Sequence, residues 1–196
     1  MKIPMPAAVL AGGASRRMGV SKAALPYGTT TLLAHQTRRL AGLFEEVVVA
    51  VKETPEFDFG PARIVVDSFS ERAPLYGLLR ALEETQDRIF VLAVDLPLLA
   101  EDVIGAIARR GLETAAPAVV PEAAGLLQPL AAVWRRSVLA PARERMRRGE
   151  MSLHGLARAV GAEIFGEQAW RALDTSGNSF ANVNTVEAYV AARERA

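Results

Sequence analysis

The sequence predicts a three-layer α/β fold with a mostly parallel, mixed central sheet, and three observations carry that expectation. Short apolar runs rich in β-branched residues recur along the chain, amphipathic stretches of helical length separate them, and the apolar runs are nearly unbroken. Unbroken apolarity marks strands buried on both faces by helices. Residues 6–13 (PAAVLAGG) read as a buried strand running into a glycine turn. Residues 46–51 (EVVVAV), 62–67 (ARIVVD) and 88–95 (RIFVLAVD) read as further strands. Helices are expected at about 31–43, 75–85 and 101–110, with Leu78, Leu79 and Leu82 spaced to line one face.

The second half is less regular. Residues 117–122 and 127–136 read as two antiparallel strands joined by a turn at Ala123 to Gly125. An Arg-rich helix follows over 138–148, ended by Gly149, and Ser152 is placed to cap another helix to about 160. Residues 162–167 read as a last strand and 185–196 as a closing helix capped by Asn184 or Thr185. With no repeat, low-complexity run or linker, residues 1–196 are expected to form a single domain.

Composition narrows the function classes. Lys plus Arg is 23 and Asp plus Glu is 22, a net charge of +1 over 196 residues. That balance argues against a surface built to coat nucleic acid or an anionic membrane, both of which select broad fields of one sign. There is no cysteine, which excludes a disulfide framework, a thiolate nucleophile and a zinc–thiolate site, and fits a reducing cytoplasm. No run of about 18 uncharged apolar residues is present to span a membrane, and Gly12, Gly13, Arg16 and Arg17 interrupt the apolar N-terminal stretch before a signal core forms. The cations are lopsided: only Lys2, Lys22 and Lys52 are lysines.

Ligands of open α/β sheets bind beyond the carboxyl ends of the strands. Three predicted strand ends carry polar or glycine residues there: Gly12-Gly13 after the first, Asp67 after the third and Asp95 after the fourth. The strongest signal is residues 10–22, LAGGASRRMGVSK. Paired glycines after a buried strand let backbone N–H groups point at a ligand with no Cβ in the way. Arg16, Arg17 and Lys22 supply cations for a polyphosphate. A Walker A loop is excluded because Val20, not Lys, follows Gly19, and the dinucleotide fingerprint because the glycines are adjacent. Asp95, ahead of a Pro97 turn, suits Mg²⁺, which commonly takes one or two protein carboxylates and completes its shell with phosphates and water. Asp67 precedes a Pro-Leu-x-Gly turn at 74–77; an Asx-turn acid is an equally good description of it.

LAGGASRRMG with Lys22, then VDLP (94–97), LQPLAAV (127–133) and FANVNT (180–185), in that order along the chain, resemble the molybdenum cofactor guanylyltransferases. The resemblance implies the Rossmann-like nucleotidyltransferase fold. It also implies transfer of GMP from GTP to the terminal phosphate of Mo-molybdopterin with release of pyrophosphate. It makes Leu10, Ala11, Gly12 and Gly13 the nucleotide-cradling loop, Lys22 the phosphate-contacting lysine and Arg17 the arginine beside it. Asp67 becomes a nucleotide-contacting acid, Asp95 the Mg²⁺ ligand, and Asn182 and Asn184 a substrate-side pair. Implied partners are GTP, Mo-molybdopterin and the molybdenum-insertion or molybdoenzyme chaperone proteins downstream. Departures from the family pattern are Ser21 for Asp, Ala73 for Gly and Ala50 where some members have Asn. The competing enzyme reading is a molybdopterin cytidylyltransferase or other small nucleotidyltransferase; the competing non-enzymatic reading is a nucleotide- or pterin-binding adaptor.

Other features read as structural. His35 and His154 are isolated, residues 143–149 (RERMRRG) form a solvated basic face, and Trp134 and Trp170 are packing residues.

Overall fold

The structure, a computed structural model, describes residues 1–12, 21–69 and 73–194. Its strands are β1 (Ile3–Leu10), β2 (Pro26–Tyr27), β3 (Thr30–Thr31), β4 (Phe44–Val51), β5 (Arg63–Val66), β6 (Arg88–Ala93), β7 (Ala118–Ala123), β8 (Leu126–Leu127), β9 (Ala131–Arg135) and β10 (Glu163–Phe165). The helices are α1 (Leu32–Leu43), α2 (Pro74–Glu83), α3 (Glu101–Glu113), α4 (Leu139–Arg147), α5 (Leu153–Ala159), α6 (Glu167–Arg171) and α7 (Val186–Arg193).

The main sheet runs β10-β7-β9-β6-β1-β4-β5, with β8 paired to β7 and a separate β2–β3 ribbon. Strands β5, β4, β1 and β6 are mutually parallel; β9 runs antiparallel to both β6 and β7. Successive strand residues enter opposite cores, as a two-residue repeat demands. Val9, Val49 and Leu92 pack with Leu33, Val103 and Ile107 from α1 and α3. Ala8, Val48 and Val91 pack on the other face with Leu78, Leu82 and Leu156 from α2 and α5. This two-sided burial explains the unbroken apolar runs and yields the expected three layers.

The starts of α1, α5 and α7 are capped by side chains. Thr31 Oγ1 accepts from Ala34 N–H at 3.0 Å, Ser152 Oγ from Gly155 N–H at 3.1 Å and Thr185 Oγ1 from Ala188 N–H at 3.2 Å. Thr185, rather than Asn184, is therefore the cap of α7.

Two expected segments are corrected. Residues 127–136 are not one strand: Gln128 N–H donates to Pro121 O at 2.7 Å and Ala131 N–H to Gln128 O at 3.0 Å, so the chain turns between β8 and β9. Pro129, which has no N–H for a ladder, sits in that bend. Residues 74–77 are not a turn ahead of a helix but the first turn of α2, with Pro74 at a position where a missing N–H costs nothing. Gly77 lets this turn close on β1, since a Cβ there would lie 3.3 Å from Leu10 Cδ1. The short helix α6 was not foreseen; it seats Trp170, whose Nε1–H donates to Glu122 O at 2.8 Å. Trp134 is likewise buried, its Nε1–H donating to Pro129 O at 3.0 Å. Both tryptophans are packing residues, as expected.

Candidate active site at the carboxyl edge of the sheet

The strand order decides what meets at the carboxyl edge. From β1 the chain moves outward through β4 to β5, then crosses back to β6 on the other side of β1. The connections part at β1, opening a crevice between the ends of β1 and β6, the usual ligand position in such sheets. Along this edge lie Asp67 after β5, Lys52 after β4, Gly12 after β1 and Asp95 after β6. Leu10 and Ala11 are tied to both neighbours: Ala11 N–H donates to Ala50 O at 3.0 Å, and Val94 N–H to Leu10 O at 3.2 Å. Gly13, Arg16 and Arg17, also named from the sequence, lie outside the described residues.

Lys22 opens a short 3₁₀ turn over Lys22–Ala24, anchored by buried Ala23. Its Nζ lies 3.1 Å from Asp95 Oδ2, with the two side chains 19% and 22% exposed. The same Nζ donates to Asn184 Oδ1. Three residues from separate parts of the sequence are thereby brought together.

The segment carrying the asparagines is held from two directions. Buried Val183 donates its N–H to Asp95 O at 3.0 Å, so Asn182 and Asn184 flank a residue bonded to the strand end itself. Upstream, Asp174 gathers the loop: Oδ1 accepts from Ser176 N–H at 2.9 Å and Ser176 Oγ–H at 2.6 Å, and Oδ2 from Ser179 N–H at 2.8 Å. Burial alone would raise the Asp174 pKa, but the hydrogen bonds from Ser176 and Ser179 outweigh it and hold the value at about 2. Ser179 Oγ accepts from Ala100 N–H at 3.1 Å, joining this loop to the start of α3.

On the β6 side of Asp95, a cleft of about 510 Å³ is lined by Asp95, Asn182, Gln128, Leu127, Met151 and His154. His154 Nε2 sits 3.0 Å from Leu127 O. Because a carbonyl only accepts, Nε2 carries the proton in this contact. His154 is thus part of a cleft wall, although spacing gave no sign of it. His35 is structural: its ring packs on Tyr27 at 4.5 Å, and burial with the charges of Arg39 and Arg38 lowers its pKa to about 4. The basic stretch on α4 is neutralised locally, with Arg143 on Glu83 at 2.7 Å and Arg148 on Glu144 at 2.8 Å.

Asp67 is engaged by Lys52. It is buried, its Oδ2 lies 2.9 Å from Lys52 Nζ, and its Oδ1 closes an Asx turn by accepting from Phe69 N–H at 2.9 Å. Lys52 is the residue that the sequence reading missed. Its signal was available: one of three lysines, immediately after an apolar strand.

Among the described residues no group of three or more His, Asp or Glu converges to form a metal cage. Among the described residues Asp95 is the one carboxylate lining the cleft, and, partly exposed, it fits Mg²⁺ completed by substrate phosphates and water. The pairs Lys22–Asp95 and Lys52–Asp67 are each neutral in sum. Among the described residues no helix is long and apolar enough to cross a membrane.

A family model described as the MobA-like NTP transferase domain matches residues 7–164. The molybdenum cofactor guanylyltransferase of Syntrophotalea carbinolica is 32% identical over 184 residues, 92% of this chain and 87% of that protein. The crystal structure of molybdopterin-guanine dinucleotide biosynthesis protein A from Archaeoglobus fulgidus superposes with a TM-score of 0.84 at 20% identity, covering 97% of this chain and 98% of that one. The 2-C-methyl-D-erythritol 4-phosphate cytidylyltransferase of Thermus thermophilus shares the fold at a TM-score of 0.68 and 18% identity, covering 100% and 98%. A match over most of the sheet, and a relative alike across nearly the whole chain, agree with the lysine and aspartate meeting at the switch point: the chain belongs to the MobA-like NTP transferase family.

Proposed function

We propose that this protein transfers GMP from GTP to the terminal phosphate of Mo-molybdopterin, releasing pyrophosphate, in the cytoplasm. The observation that carries the reading is the placement of Lys22 and Asp95 3.1 Å apart at the switch point between β1 and β6, on the fold of this family.

In this reaction an acceptor phosphate oxygen bonds to the α-phosphorus of GTP while the bond to the α,β-bridging oxygen breaks. The nucleophile is already anionic near neutral pH, so the chain needs no strong general base. Its work is to align the two phosphates and to place positive charge where negative charge builds. Leu10, Ala11 and Gly12 would present the β1 end to the nucleotide, and Gly13 and Arg17 of the same motif would join them. Lys22 would set its ammonium against the α-phosphate and the departing pyrophosphate. Asn184, which accepts from that ammonium, orients it, and Asn182 faces the cleft shared with Asp95. Asp95 would hold Mg²⁺, which when bound offsets the charge of the triphosphate. The cleft beyond Asp95 would receive the pterin.

Mixing the protein with GTP, Mg²⁺ and Mo-molybdopterin tests this. Pyrophosphate release requiring all three is the expected result. Nucleotide binding without release would indicate an adaptor, and release with CTP in preference to GTP a cytidylyltransferase.

A further inference from the structure

The ribbon that follows Lys22 and the helix that follows Asn184 exchange a reciprocal pair of hydrogen bonds. Tyr27 Oη–H donates to Ala192 O at 3.0 Å, and Tyr189 Oη–H donates to Pro26 O. Pro26 and Tyr27 form β2, while Tyr189 and Ala192 lie one helical turn apart on α7, so a single helix face supplies both halves of the exchange. Both tyrosines and Ala192 are buried. Burial raises the Tyr27 pKa, which keeps its donating hydroxyl protonated. A phenylalanine ring would fill either site, so the two hydroxyls contribute direction rather than packing.

These bonds close a ring whose other contact lies in the candidate active site. Leu25 ends the 3₁₀ turn that begins at Lys22, ties its carbonyl to Leu32 N–H at 2.8 Å and leads directly into β2. On the other side, Thr185 caps α7 immediately after Asn184. The two segments clamped by the tyrosines therefore meet again where Lys22 Nζ donates to Asn184 Oδ1. The β2–β3 ribbon is separate from the main sheet, so no strand ladder fixes it relative to Asp95. A lysine ammonium rides on a flexible four-carbon stem, and its direction is set by the groups around it. That direction matters, because misplacing a reacting group by about 1 Å can cost on the order of a hundredfold in rate.

Resting on the guanylyltransferase reading above, we infer that Tyr27 and Tyr189 are positioning residues for Lys22 and act through Asn184. Their hydroxyls hold α7 on the β2–β3 ribbon. Helix α7 in turn sets where the Asn184 amide stands, and that amide aims the Lys22 ammonium at the phosphates. Neither tyrosine lines the cleft at Asp95. A purely structural pair would cost stability when broken, with a loss independent of Asn184. A positioning pair has its effect only while Asn184 is present to transmit it, and this difference separates the two roles.

The test is a double-mutant cycle on pyrophosphate release with GTP, Mg²⁺ and Mo-molybdopterin. It compares the full chain with Tyr27→Phe, Tyr189→Phe and Asn184→Ala, and with each tyrosine change combined with Asn184→Ala. Rates are expressed per GTP site titrated by calorimetry, so misfolded protein does not enter them. Each phenylalanine change alone is expected to lower kcat by about threefold to tenfold, the scale of one neutral hydrogen bond. With Asn184 already alanine, either change is expected to cost less than about twofold, because the group through which it acts is gone. The same multiplicative loss in both backgrounds overturns the inference. So do single variants that melt earlier yet keep wild-type kcat, the result a purely structural pair gives. Absence of pyrophosphate release by the wild type overturns the guanylyltransferase reading itself and is distinguishable from both.

Discussion

Lys22 and Asp95, 73 positions apart in the sequence, meet at 3.1 Å across the gap between β1 and β6, with Asn184 accepting from the same ammonium. The contact joins the 3₁₀ turn at Lys22–Ala24, the end of β6 and the C-terminal segment into one site. Each of the three has its own backbone support, so disturbing any one of them has a separable consequence.

Asp95→Ala removes the carboxylate proposed to hold Mg²⁺ and leaves Lys22 without its 3.1 Å partner. Turnover, followed as pyrophosphate release at saturating GTP and Mg²⁺, is expected to fall by roughly a hundredfold to a thousandfold, the scale for losing one preorganised charge-stabilising group. Wild-type rates in this variant would remove Asp95 from the metal role.

Asn184→Ala leaves the Lys22–Asp95 pair in place but deletes the acceptor that orients the ammonium. A hydrogen bond to a charged group contributes about 1.5–3 kcal/mol, so kcat is expected to fall by about tenfold to a hundredfold. Asn184 is exposed, so the melting temperature should stay near that of the wild type. A large loss of stability with unchanged kcat would mean that the residue serves the fold.

Asp174→Asn tests the loop that carries the asparagines. With a folded pKa near 2 against an ordinary 3.8, the carboxylate contributes stability that is fully present above pH 3.8 and is lost as pH falls through about 2. The variant should therefore lose about 2 kcal/mol at neutral pH, a deficit that shrinks as the wild type is acidified below pH 4. Denaturant melts of both proteins at pH 7 and pH 3 would read it. An equal deficit at both pH values would contradict the assignment.

His35 governs a different window. Its folded pKa of about 4 lies below the ordinary 6.5, so between those values the unfolded chain binds a proton that the folded one does not. Stability from this group is complete above pH 6.5 and is lost progressively down to about pH 4. His35→Phe keeps a ring against Tyr27 and removes the proton site. Its stability should fall less steeply than that of the wild type from pH 7 to pH 4.5; identical slopes would contradict this.

Much of the fold was legible because two-sided burial leaves a strong mark in sequence. Val47, Val48 and Val49 are unbroken because alternate residues serve two cores. The break at Gln128–Leu130 was not legible, because an apolar run read alone does not say which strand its backbone must pair with; Pro129 was the available hint. The site divides in the same way. Lys22, Asp95 and Asn184 lie in motifs recognisable by residue type and order, and the fold brings them together. Asp67 read equally well as a nucleotide-contacting acid or an Asx-turn acid, and it does close an Asx turn. Two strands, β1 and β4, lie between its strand and β6, and the end of β4 delivers Lys52 to it. Strand order, which spacing along the chain does not encode, decided that pairing.

The most direct test follows the α-phosphate of GTP. Protein, Mg²⁺ and Mo-molybdopterin are incubated with GTP labelled at the α- or the γ-phosphate, and the products are separated. The α-label is expected in a pterin guanine dinucleotide and the γ-label in pyrophosphate, in equal amounts. Label recovered only as GDP and inorganic phosphate, or dinucleotide formed from CTP in preference to GTP, would contradict guanylyl transfer by this protein.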